Sequence, residues 1–115
     1  MGELKTLDLT PSLLAAVGAE AGVVSTGNSL DMVKEDEEYI KKHKATCKDM
    51  EGAAVAYMCS QLMVPMFALK SVTDIVDGEH PTHEEFLRNL GTAAKSLQEA
   101  LPKVLSFVAD KPFTA

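Results

Sequence analysis

Lys48-Asp49-Met50-Glu51-Gly52-Ala53-Ala54-Val55-Ala56 reads as the opening of a helix with a carboxylate in its first turn, and Lys70-Ser71-Val72-Thr73-Asp74 as the close of an apolar strand that ends on another. The helix is predicted over Glu51 to Met63, where Ala53, Ala54, Val55, Ala56, Met58, Leu62 and Met63 leave almost no breaker. Apolar residues nearly all round predict a helix packed on several sides. Val64-Pro65 ends it, and Met66-Phe67-Ala68-Leu69 begins a strand over 66–72. That run does not alternate, as expected for a parallel strand covered on both faces. In an open α/β sheet, ligands bind beyond the carboxyl ends of the strands. Glu51 and Asp74 are therefore expected to face one crevice.

Working outward, Ala21-Gly22-Val23-Val24-Ser25 reads as a short buried strand leading into a Thr26-Gly27-Asn28-Ser29 turn. Asp31 to Lys44 is a mixed charge run, with Glu37 and Lys41, and Glu38 and Lys42, four apart on a solvated helix. His43 has no ligand partner at metal spacing and reads as a surface residue. Thr10-Pro11-Ser12 starts a short helix with Leu13, Leu14 and Val17 on its apolar side, and Gly18 stops it. Beyond the strand, Asp77-Gly78 makes a turn, and Thr82-His83-Glu84-Glu85 is a capping-box pattern with Thr82 as the cap. Phe86, Leu90, Ala93, Ala94, Leu97, Leu101, Val104, Leu105 and Val108 recur at helical spacing, and Pro102 predicts a kink or break within that helix. The organisation expected is a weakly ordered segment over 1–20, a partial α/β domain over 21–110 and a frayed tail over 111–115.

Composition narrows the partners. With 115 residues, one small domain is expected. The 17 acids against 11 bases give net charge -6, which argues against a phosphate-backbone binder and so against nucleic acid. No apolar run approaches a membrane span, and the first residues lack the basic and apolar regions of a signal peptide. Cys47 and Cys59 have neither zinc nor disulfide-framework spacing and read as reduced thiols of a cytoplasmic protein.

Met50-Glu51, Thr73-Asp74 and the upstream Ser25-Thr26-Gly27-Asn28-Ser29-Leu30-Asp31-Met32 together resemble the methylthioadenosine / S-adenosylhomocysteine nucleosidases, the plant ones in particular. The resemblance runs from about Val23 to Phe107. It implies the carboxyl-terminal part of a nucleoside-phosphorylase-like three-layer α/β fold, an incomplete central sheet flanked by helices. It also implies cleavage of the N-glycosidic bond of 5′-methylthioadenosine, and of S-adenosylhomocysteine as a further substrate, to adenine and the thioribose in methionine salvage.

Such a reaction protonates the departing adenine while the sugar becomes oxocarbenium-like, a division of acid and base roles shared with inverting glycoside hydrolysis. By the resemblance Asp74 is the acid, beside Thr73, which stands where many relatives carry Ser. Glu51 grips the ribose hydroxyls, since one carboxylate accepts two hydrogen bonds. Met50 is the apolar wall beside the sugar, and Leu30 lies in the loop whose backbone reads adenine. On the residues alone Asp74 also reads as a turn aspartate, Glu51 as a helix-start acid favoured by the dipole, and Met50 as core filler. No metal and no organic cofactor is implied, because water and carboxylates suffice.

The family's water-activating glutamate has no match before Asp31, where Glu3, Asp8 and Glu20 are the only acids. Two further readings therefore stand beside the nucleosidase. One is a catalytically inactive, truncated adenosine-binding or oligomerisation module. The other is a purine nucleoside phosphorylase, which shares the fold and the helix glutamate. Either way the expected partner is a small nucleoside, with assembly as a homodimer or with a longer chain.

Overall fold

The computed structural model describes residues 2–8, 11–75 and 81–109. The chain forms two units, one built from 1–9 and 21–68 and the other from 10–20 and 69–114.

The first unit is organised by two parallel strands, β1 (Val24–Thr26) and β2 (Cys47–Asp49), paired Val24 with Cys47, Ser25 with Lys48 and Thr26 with Asp49. Parallel strands need a crossover, and α2 (Lys34–His43) supplies it. Its acids Glu35, Asp36 and Glu37 lie in the first turn and Lys41, Lys42 and His43 in the last, the order that complements the helix dipole. Glu37 pairs with Lys41, whose ammonium holds the glutamate's carboxyl below its ordinary value. Lys44 stops the helix in the left-handed region at φ 52. His43, expected on the surface, is half-buried, stacked on Tyr39 with its Nδ1 2.9 Å from Glu3 Oε1.

Ahead of β1, Thr46 Oγ1 accepts the Val23 N–H at 2.8 Å, and Thr46 N–H donates to Val23 O at 2.8 Å. A Cβ on Gly22 would collide with that same Thr46 hydroxyl. Gly22→Ala is expected to cost about 1–3 kcal/mol, as overpacking does, and the loss is read as a lower urea midpoint with unchanged slope.

After β2 the chain enters α3 (Gly52–Gln61), which packs on β1. Met63, at φ 54, takes the left-handed residue of its C-terminal cap, and Val64 N–H returns to Cys59 O at 2.8 Å. Glycine more often fills that position. The expectation of a helix buried on several sides is corrected here. Val55, Tyr57, Met58 and Leu62 are 52%, 57%, 53% and 65% exposed, and no residue of α3 is fully buried. An all-round apolar helix needs neighbours on every face, and the described part of this unit supplies them on few. One is the segment 4–7, which with Ala56, Cys59 and Ser60 borders an open groove of about 280 Å³.

The predicted strand over 66–72 is a second correction. Those residues have no regular secondary structure and join no sheet among the described residues. An apolar run becomes a strand only where a neighbour completes its hydrogen bonds, and among the described residues Met66 O receives only the Leu7 N–H, at 2.9 Å. The strand expected over Ala21 to Ser25 forms later and shorter, as β1.

The second unit is a helix pair. α1 (Pro11–Val17) begins on its proline and ends at Gly18, where φ 71 allows both Gly18 and Ala19 N–H groups to reach Leu14 O at 2.9 and 3.0 Å. This is the Schellman closure that glycine favours. α1 packs on α4 (Thr82–Val108), and among the described residues the buried apolar ones are Leu13, Ala93 and Val104. Pro102 does not break α4, which runs through it without interruption. The cap falls one residue earlier than the Thr82 pattern predicts. Pro81 occupies it, and its carbonyl accepts the Glu84 and Glu85 N–H groups at 3.0 and 3.2 Å. The Asp77-Gly78 turn and the tail over 111–115 lie outside the described residues. Among the described residues no helix is long and apolar enough to cross a membrane.

Candidate active site

The first turn of a helix leaves N–H groups without partners, and in α3 the two strand ends supply them. Asp49, the last residue of β2, accepts the Gly52 N–H on Oδ2 at 2.9 Å. Thr26, the last residue of β1, accepts the Ala53 N–H on Oγ1 at 3.0 Å and donates its own proton to Asp49 Oδ1 at 2.6 Å. A Cβ on Gly52 would come within 2.6 Å of Asp49 Oδ2, so glycine is what admits the carboxylate. This clamp joins β1, β2 and α3 at the carboxyl ends of the strands.

The clamp leaves Glu51 free of capping duty. It occupies the N-cap position at φ -122 and ψ -30 but makes no side-chain cap bond, and among the described residues its exposed carboxylate accepts only the Met50 N–H, at 3.2 Å. Met50 beside it is 45% exposed, and Leu30, in the loop after β1, is 64% exposed. These three predicted residues belong to the first unit. Because the hydroxyl of Thr26 serves as donor and acceptor at once, Thr26→Val is expected to cost about 1–3 kcal/mol from the polar groups it strands. Faster hydrogen exchange at the Ala53 amide than elsewhere in α3 would locate the loss, whereas uniform exchange would deny the clamp.

One residue back along β2, Lys48 turns to the loop after β1. Its Nζ lies 2.7 Å from Asp36 Oδ2 of α2 and donates to Ser29 O at 2.5 Å and Asp31 O at 3.4 Å. Its side chain is only 12% exposed.

Thr73 and Asp74 belong to the second unit, both half-buried. Thr73 Oγ1 donates to Asp74 Oδ1 at 2.7 Å. From α4, Asn89 Nδ2 donates to Thr73 O at 2.8 Å, and Glu85 Oε2 accepts the Ile75 N–H at 3.4 Å. The acid therefore stands on an irregular segment bonded to α4, not on the strand end that the apolar run predicts. Sequence reasoning passed over Thr26, Lys48, Asp49, Glu85 and Asn89. Only Asp49 carries a local signal, an aspartate three residues before the amide it caps; the others act across 10 or more positions.

No group of three or more His, Cys, Asp or Glu among the described residues is arranged to hold a metal ion. No disulfide joins Cys47 and Cys59.

The profile of a family described as "Phosphorylase superfamily" matches residues 14–106. The chain is 50% identical over 102 residues to the 5′-methylthioadenosine/S-adenosylhomocysteine nucleosidase of Arabidopsis thaliana, covering 89% of this chain and 40% of that protein. It is 50% identical over 99 residues to the 5′-methylthioadenosine nucleosidase of the same plant, covering 86% of this chain and 37% of that one. The solved structure of Arabidopsis thaliana 5′-methylthioadenosine nucleosidase in apo form superposes with a TM-score of 0.84 at 47% identity, over 90% of this chain and 43% of that one. The fold is thus a partial nucleoside-phosphorylase-like domain, and the chain spans about 40% of the length of the curated relatives it matches.

Proposed function

We propose, for a chain that belongs to the phosphorylase superfamily, that it carries the purine and ribose portion of a 5′-methylthioadenosine nucleosidase site. The observation that carries this reading is the 50% identity over 102 residues to a protein named for that activity. The local geometry supports it, because the α3 amides are satisfied by Asp49 and Thr26 and the Glu51 carboxylate stays available for a ligand. The superfamily's name is not an activity, and the relatives matched along most of the chain are named nucleosidases. The phosphorylase alternative has no support from them.

In this reading Asp74 gives a proton to the purine ring nitrogen as the N-glycosidic bond breaks, and the bonding pair leaves with the base. Glu51 accepts hydrogen bonds from the ribose hydroxyls while positive charge develops on the sugar. Met50 covers the apolar side of the ribose, the backbone around Leu30 reads the purine edge, and Thr73 orients Asp74. Water adds to the sugar carbon and loses its proton to a base, a role that neither Asp74 nor Glu51 fills. S-adenosylhomocysteine as a second substrate, a place in methionine salvage, a cytoplasmic setting and pairing with a second chain belong to the same proposal.

A second reading, nucleoside binding without cleavage, follows if no residue takes the water-activating role that Asp74 and Glu51 leave open. Titration calorimetry with methylthioadenosine and its 6-oxo analogue tests both. Saturable uptake of methylthioadenosine with weaker uptake of the analogue is expected. Flat heats up to millimolar nucleoside would overturn the site, and uptake without adenine release would select the second reading.

A further inference from the structure

Lys48 is unusual in being a lysine whose three donors all have oxygen acceptors nearby. Only one of those acceptors is a carboxylate. Asp36 Oδ2, from the first turn of α2, lies 2.7 Å from Nζ, and the backbone carbonyls of Ser29 and Asp31 are at 2.5 and 3.4 Å. An ordinary surface ion pair needs only the carboxylate and contributes little. Here the ammonium is withdrawn from solvent, with its side chain 12% exposed and that of Asp36 24% exposed, so its charge-assisted bonds are little screened. The stem passes so close to the loop that a Cβ on Gly27 would lie 3.3 Å from Lys48 Cε.

The two tethered carbonyls flank Leu30. Leu30 itself is 64% exposed, and its own N–H and C=O bond to none of the described residues. The start of the loop is tied independently, by Gly27 N–H to Asp49 O at 3.0 Å. The loop is therefore fixed at its root and on either side of Leu30, while no described residue takes up the Leu30 peptide groups.

We infer that Lys48 is a positioning residue for the purine end of the site, latching the Ser29 and Asp31 carbonyls to Asp36 so that the backbone at Leu30 is held ready to read a base. This rests on the nucleosidase reading above for the identity of the ligand, but not for the latch. A backbone that reads a purine edge must be held to within about 0.5 Å of its bound geometry. A lysine that binds carbonyls on both sides of the reading residue does this without touching the base. It also couples the loop to β2, the strand that runs directly into Met50 and Glu51.

The test uses the 115-residue chain, with backbone NMR order parameters and adenine titration on the wild type, Lys48→Met, Lys48→Arg and Asp36→Asn. Methionine keeps the stem and removes the charge. It is expected to lower the order parameters of residues 28–32 from about 0.85 toward about 0.6, and to weaken adenine binding by about tenfold, the worth of a lost charge-assisted bond. Order parameters in α3 and α4 should stay as in the wild type. Asp36→Asn, which spares both carbonyl bonds, should show a smaller change in each measurement, and Lys48→Arg should recover part of the loss. Loop order unaltered by Lys48→Met overturns the latch, as does loosening spread evenly through the unit, which would mean a purely structural ion pair. A loosened loop with undiminished adenine affinity overturns the positioning role. Failure of the wild type to take up adenine overturns the nucleosidase reading and the ligand named here, while the order parameters still decide the latch.

Discussion

Adenine release from methylthioadenosine is expected to fall by about 10²–10⁴-fold when Asp74 is replaced by asparagine, the usual worth of a positioned general acid. Asparagine has the same shape and can still accept the Thr73 hydroxyl bond, which in the wild type runs 2.7 Å to Asp74 Oδ1. It can hydrogen-bond a purine nitrogen, but it has no proton to deliver as the bond to the sugar breaks. Nucleoside affinity should therefore persist while release drops, a separation that a folding defect would not produce. The assay uses single turnovers with the chain in excess, so that slow release is visible, and the variant is prepared in parallel to exclude a contaminating host nucleosidase. Equal release from the two proteins would remove the acid role from Asp74. The segment around Asp74 is tied to α4 by Asn89 and Glu85, so the substitution leaves those anchors untouched.

Glu51→Gln should weaken methylthioadenosine binding by about 10–100-fold and leave free adenine unaffected. Hydrogen bonds to a charged acceptor contribute about 1.5–3 kcal/mol each. Glutamine removes the charge and replaces one acceptor oxygen with a donor that faces another donor, the ribose hydroxyl. The contrast between nucleoside and free base isolates the ribose, because adenine lacks the hydroxyls that Glu51 is proposed to hold. Stability gives a second control. The N–H groups of Gly52 and Ala53 are capped by Asp49 and Thr26, so α3 should not loosen when Glu51 is neutralised. A parallel loss for adenine and nucleoside would point to a structural effect. No loss for either would return Glu51 to a helix-start acid that merely suits the dipole.

The exposed apolar residues of α3 bear on how such measurements are made. Val55, Tyr57 and Met58, and Leu62 at its C-cap, are all more than half exposed, and exposed apolar side chains promote association. Concentration series should accompany each titration, so that self-association is not mistaken for ligand uptake.

Elements whose determinants are local were legible in the sequence. Pro11 and Gly18 bracket α1 because a fixed φ suits a first turn and a positive φ suits a stop. The acid-to-base order of α2, and the helical spacing of apolar residues through α4, depend on neighbours three and four positions away. The family resemblance likewise singled out Glu51 and Asp74 from residues adjacent in the chain. What remained hidden is what depends on a distant partner. β2 is three residues long and contains a lysine and an aspartate, so no alternation announces it, and it exists through its register with β1. The apolar run over 66–72 promised a strand, but strand formation needs a neighbour's hydrogen bonds, and a sequence pattern reports burial potential rather than the presence of that neighbour. The same reason separates the acids from their supports. Glu51 is read from its place on a helix, while the Thr26–Asp49 clamp that frees it and the Lys48 latch beside it span 23 and 19 positions, distances over which only the folded backbone decides which groups meet.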